Sequence, residues 1–78
     1  MWIKSQNKRR LVHVKSIQIN TSLQAKNPYI IVDCTDQRGH ILGGYDSFEK
    51  CQLVLDLMEP YTSNNKVFDM PANEDVKL

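Results

Sequence analysis

Ile41-Leu42-Gly43-Gly44-Tyr45-Asp46-Ser47-Phe48-Glu49-Lys50-Cys51-Gln52-Leu53-Val54-Leu55-Asp56-Leu57-Met58 is the stretch whose reading decides the fold. Its period changes in the middle. Ile41 to Tyr45 reads as a strand. From Phe48 onward, Phe48, Cys51, Val54, Leu55 and Met58 recur at three- and four-residue steps, one stripe of an amphipathic helix. Asp46 is placed to accept from the backbone N–H of Glu49 and Glu49 to reach back, as in a capping box. Gln52, Asp56 and Glu59 face away from the stripe. Pro60 discourages further helix because it has no N–H to donate and its ring clashes with the preceding turn. Leu53 and Leu57 fall off the stripe, so the helix is either wedged between two surfaces or presents an apolar edge to another copy.

Upstream, Tyr29-Ile30-Ile31-Val32-Asp33-Cys34 is apolar in both phases and reads as a central strand. Asp36-Gln37-Arg38-Gly39 has turn composition, with Gly39 suited to the left-handed conformation, so this strand and His40–Tyr45 pair as a hairpin. Between Leu11 and Ile19 the β-branched residues occupy two phases: Val12 with Val14, then Ile17 with Ile19. A one-residue slip turns later side chains to the opposite face, which puts a bulge, bend or tight turn at Lys15-Ser16. Trp2-Ile3 begins a short strand, Ser5 to Arg10 is a polar, basic turn, and Asn20 to Pro28 is a polar connection. Downstream, Asn64-Asn65 is a turn signal, and Val67 to Met70 is a last short strand stopped by Pro71. Residues 1–71 thus form one domain, and residues 72–78 a flexible tail.

A chain of 78 residues buries about 60% of its unfolded surface on folding, enough for one small core. No apolar run approaches the length of a membrane span, and no secretory core follows the first residues, so the cytoplasm is the expected compartment. Cys34 and Cys51 are expected to be small buried hydrophobes, not a disulfide framework. The net charge of +1 is unevenly placed. Residues 1–38 hold seven bases and two acids, and residues 39–78 three bases and seven acids. A compact fold is expected to intermingle the two halves.

Chemistry is hard to build from these residues. Gly43-Gly44 stands between a strand and a helix, where anion-binding loops occur, but the lysine, hydroxyl and further glycines of a phosphate loop are missing. The pair reads instead as a bulge or a close backbone approach. His13, Cys34, His40 and Cys51 lack the paired spacing of a zinc site. Cys51 lies in the first turns of the helix but on its apolar stripe, which argues for an inert thiol. Asp33 with Asp36, and Asp56 with Glu59, have no apolar pocket to shift a pKa. No catalytic residue, cofactor or metal is expected. Lys4, Lys8, Arg9, Arg10 and Lys15 group around one loop with Trp2 and His13 nearby, a combination suited to phosphates and an unpaired base, although no nucleic-acid-binding motif is present.

Three segments carry a resemblance: Met1-Trp2-Ile3-Lys4-Ser5-Gln6, Leu42-Gly43-Gly44-Tyr45 before a capped helix, and Val67-Phe68-Asp69-Met70-Pro71. Together they resemble a group of small uncharacterised proteins of Gram-positive bacteria and their phages, across nearly the whole chain. This chain departs from that pattern at Gly44, often an acid there, at Cys51, often alanine, and at Pro60, which shortens the helix. The resemblance implies no established activity and no site residues.

The expected architecture is α+β: a small bent antiparallel sheet of about five or six strands with one helix packed on it. A pleckstrin-homology-like or other half-barrel is the alternative. The expected core is Ile3, Val12, Val14, Ile17, Ile19, Ile30, Val32, Leu42, Phe48, Cys51, Val54, Leu55, Met58 and Phe68. The expected function is a non-enzymatic protein-interaction module, self-association included, with Leu53, Leu57 and Tyr61 as its apolar contact residues. The alternative is weak nucleic-acid binding through residues 4–15, and no membrane is involved.

Overall fold

A computed structural model describes residues 1–23, 26–35, 39–63 and 65–78. Among the described residues, six strands and one α-helix run in the order β1 (Trp2–Lys4), β2 (Leu11–His13), β3 (Ile17–Thr21), β4 (Tyr29–Asp33), β5 (His40–Tyr45), α1 (Phe48–Met58) and β6 (Val67–Asp69). Short 3₁₀ turns occupy Glu59–Ser63 and Asn73–Asp75. The protein is a small α+β domain, but the strands form two three-stranded sheets instead of a single bent one, β2-β1-β6 and β3-β4-β5, and neither closes into a barrel. The first sheet is mixed: β1 is antiparallel to β2 and parallel to β6.

The phase slip at Lys15-Ser16 is the passage from one sheet to the other. β2 ends at His13 and β3 begins at Ile17. The linking residues are pinned by Val14 N–H to the Met1 carbonyl at 2.9 Å, Lys15 N–H to Thr35 Oγ1 at 2.8 Å, and Cys34 N–H to the Ser16 carbonyl at 2.8 Å. The bend therefore serves a change of partner strand, a consequence that hydrophobic phase alone does not specify.

β4 lies at the centre of its sheet and is buried in both phases, as its apolar run predicts. It pairs with β5 as the expected hairpin, and Gly39 takes the left-handed φ of 66°. The turn residues Asp36, Gln37 and Arg38 lie outside the described residues, as does Asn64 of the later turn signal. Ile31 is opposite Gly43 and Val32 is opposite Ile41, so Leu42 is the extra residue of a β-bulge. The bulge buries the Leu42 side chain and turns its carbonyl outward to accept from Gln6 N–H at 2.8 Å.

Helix α1 packs Cys51, Val54 and Met58 into the core, each such burial contributing about 1.5–3 kcal/mol for a side chain of this size class. Its cap differs from the expected box. Ser47 is the N-cap and its Oγ accepts from Lys50 N–H at 3.2 Å. Asp46 lies one residue too early. Its carboxylate instead accepts from Lys50 Nζ and from Asn73 Nδ2.

The core corrects the expected list at Phe48, which is 43% exposed at the first helical position, its ring in a T-shaped pair with Tyr29. Val12, Ile17, Ile19 and Leu55 pack on the core while half-buried. Ile31, Tyr45, Met70 and Val76 join the buried cluster unforeseen. Within residues 72–78, two side chains contact the domain. Asn73 Oδ1 accepts from Asp46 N–H at 2.9 Å, Lys50 Nζ donates to the Asn73 carbonyl at 3.1 Å, and Val76 is 4% exposed in the core. Val76, set among Asn73, Glu74, Asp75 and Lys77, gives no periodic signal, yet it packs into the core.

Candidate functional site

Three places combine chemistry-bearing residues: a polar junction around Gln6, a cleft beside the end of α1, and the outer face of the β2-β1-β6 sheet.

The junction is where the three segments quoted for the resemblance meet. Gln6 Oε1 accepts from Gly44 N–H at 3.0 Å, and Gln6 Nε2 donates to the carbonyls of Gly44 and Pro71, both at 3.1 Å. Its amide thus stands in for a peptide group of a neighbouring strand and extends the ladder at the edge of β5. Tyr45 Oη donates to the same Pro71 carbonyl at 2.7 Å, and burial, with a smaller effect from nearby Cys51, pushes its hydroxyl far above the usual phenol range. Gly43 sits in a close approach: a Cβ there would lie 3.0 Å from Met70 Cε and 3.3 Å from Gln6 Cβ, so those neighbours would have to give way. Beside it, Ser5 Oγ donates to Asn7 Oδ1 and accepts from Arg10 N–H, which closes the β1–β2 loop around Lys8 at φ 66°. Each polar atom named at this junction has a partner within the chain, so these groups tie β5 to the β1–β2 loop and to Pro71.

The cleft, of about 400 Å³, lies between the β2–β3 passage and the end of α1. Met1, Val14, Ile17, Leu55 and Met58 form its apolar walls, and Asp56 and Glu59 lie at its rim. Neither histidine nor cysteine lines it. Among the described residues no three His, Cys, Asp or Glu side chains come close enough to hold a metal. Cys51 lies elsewhere, fully buried, its Sγ 3.6 Å from the Tyr29 carbonyl, and burial pushes its thiol up to about 11. A thiol that stays protonated in an apolar site is a poor nucleophile.

The outer face is different. In the β2-β1-β6 sheet, Val12, Ile3 and Phe68 lie side by side toward the core, so the alternate residues point outward. One outward row is His13, Trp2 and Val67; the next is Leu11, Lys4 and Asp69. Trp2 is 44% exposed, Leu11 56% and Val67 45%. The Trp2 ring rests tilted on His13, centroids 4.9 Å apart. Lys8 Nζ pairs with Asp69 and donates to the Met70 carbonyl, and its hydrogen bond holds the Asp69 carboxyl below the usual carboxylate range.

The basic residues singled out from the sequence are thus only partly brought together. Lys4 lies on this face, while Lys8, Arg9 and Arg10 sit at its hairpin end. Lys8 is engaged by Asp69, and the Arg10 guanidinium lies 3.2 Å from His40 Nδ1. Lys15 is exposed on the passage to β3. The charge halves intermingle at one strand, where β6 returns Asp69 to the basic hairpin. Of the apolar residues singled out on the helix side, Leu53 and Tyr61 are half-buried against the core, Tyr61 edge-on to Phe68, and Leu57 is 50% exposed. Leu11 and Val67 were missed as contact candidates because outwardness in a three-residue strand depends on which strands pair.

No protein-family model matches this sequence, and searches of curated proteins and of solved structures return no similar chain.

Proposed function

We propose that this chain is a non-enzymatic protein-interaction module that works through the outer face of the β2-β1-β6 sheet. The observation that carries the reading is the exposure of Trp2, Leu11 and Val67 on one face. Water in contact with three large apolar side chains is released when a partner covers them, and tryptophan is among the residues that concentrate binding energy. Leu57 adds a smaller apolar point on the helix, where its neighbours Leu53 and Tyr61 already pack inward. Self-association is one form such an interaction takes.

In-cell photo-crosslinking tests this reading. A photoreactive residue at Leu11 is expected to give protein adducts that disappear with Trp2→Ser. The same residue at Gln52, on the outward side of α1, is expected to give none. Absence of adducts at Leu11, or adducts indifferent to Trp2, contradicts the proposal.

A second reading is favoured by one observation, the Trp2–His13 ring pair next to Lys4 with Arg9 and Arg10 at the hairpin end. That arrangement suits a base and its phosphates in a single strand. It predicts a gel shift that weakens as salt rises, and no shift at low salt removes it.

A further inference from the structure

We infer that the partner seated on the outer face of the β2-β1-β6 sheet is an acidic polypeptide segment with apolar anchor residues. This rests on the protein-interaction reading and names the partner's chemistry. Residues 1–15 contain Lys4, Lys8, Arg9, Arg10 and Lys15 and no aspartate or glutamate. Asp69 is the single carboxylate on the three strands of this sheet, and Lys8 already neutralises it. The charge remaining on and beside the face is therefore positive, with Lys4 on it and Arg9 next to it. Such a field steers an anionic partner onto the face and opposes a second copy of the same face, because a two-fold pairing brings like charges together.

The apolar residues narrow the kind of anion. Leu11 and Val67 are aliphatic and gain by burial against other apolar side chains. A nucleic acid offers base faces that stack on aromatic rings, whereas two of the three exposed apolar residues here, Leu11 and Val67, are aliphatic. A polypeptide in which Asp and Glu alternate with Leu or Phe meets both the charge and the apolar points at once.

Trp2 is the only tryptophan, so its fluorescence reads this face directly. The probe is a short synthetic peptide of Asp and Glu interspersed with Leu and Phe, compared with an oligo-glutamate and a thymidine oligonucleotide of matched length. The peptide is expected to shift Trp2 emission to the blue in a saturable way. Affinity is expected to fall about tenfold in the Lys4→Gln, Arg9→Gln variant and to weaken with salt, and oligo-glutamate is expected to bind far less. Both substitutions are at exposed side chains, and an unchanged thermal unfolding midpoint confirms that the variant folds. A shift with the oligonucleotide and none with the peptide overturns this inference and the protein-interaction reading together. A shift on raising protein concentration alone, with none from the peptide, overturns the acidic segment but keeps the module. Silence from the peptide with Leu11 cross-links intact does the same.

Discussion

Gln6 and Trp2 stand a turn apart on the same hairpin and use their side chains in opposite ways. Gln6 is polar, half-buried, and bonded through both ends of its amide to Gly44 and Pro71. Trp2 is apolar and 44% exposed, with its ring tilted on His13. The difference teaches where each kind of constraint resides. A buried polar group stabilises only when its partners are all in place, so Gln6 is fixed by the fold it joins. The part of an apolar group left in water gains nothing from the fold and gains from a partner, so the exposed part of Trp2 is available for recognition. The contrast makes a rule for this molecule: substitutions at the junction change stability and leave recognition per folded molecule alone, and substitutions on the outer face do the reverse.

The largest expected effect is that of Gln6→Leu. It strands Gly44 N–H and its carbonyl and weakens the hold on Pro71, and chemical denaturation is expected to show a loss of about 2–4 kcal/mol. A loss below about 1 kcal/mol would break the comparison, since the junction would then be ornamental. Gly43→Val comes next. Its Cβ meets Met70 Cε and Gln6 Cβ, and the crowding is expected to cost about 1–3 kcal/mol by the same measurement. Tyr45→Phe sharpens the picture within the junction. It removes one bond to Pro71 while Gln6 Nε2 keeps the carbonyl partnered, so the expected loss is only about 1 kcal/mol.

Trp2→Ser should fall at the other end of the stability scale, within about 1 kcal/mol of the parent, because it removes a surface ring contact. Its effect on cross-linking from Leu11 is expected to be complete. The smallest effect is that of acid. Asp69 is held below the ordinary range by its hydrogen bond from Lys8, and Asp46 by those from Asn73 and then Lys50. For both, the folded pKa lies beneath the unfolded value near 3.9. The stabilisation is therefore fully present above that value and is lost as pH falls toward and through the folded pKa. Both groups are open to water, so the midpoint of thermal unfolding should drop only slightly across that window, and less so in Asp69→Asn.

Much of the architecture was legible because it rests on local patterns. The helix came from the spacing of Cys51, Val54 and Met58, and the β4–β5 hairpin from a doubly apolar run followed by Gly39. The division into two sheets was not, because the slip between Val14 and Ile17 is the same in sequence whether the strand bends or changes partners. The helix cap was misplaced by one residue because Asp46 and Ser47 are both good caps, and Asn73, distant in sequence, claims Asp46. For the candidate site, the basic residues and Trp2 were visible as a cluster. Their shared face with Leu11 and Val67 was not, since it depends on β6 returning parallel to β1 after the helix. Gln6 carried no signal beyond its place in a short segment, because a single amide has no period.

Backbone amide shift mapping by NMR during titration with the acidic, leucine-bearing peptide tests the division of labour most directly. The account predicts perturbations confined to residues 2–4, 9–13 and 67–69, with the Gln6 side-chain amide resonances unmoved. Perturbations centred on the cleft between Val14 and Leu55, or displacement of the Gln6 amide signals, would contradict it.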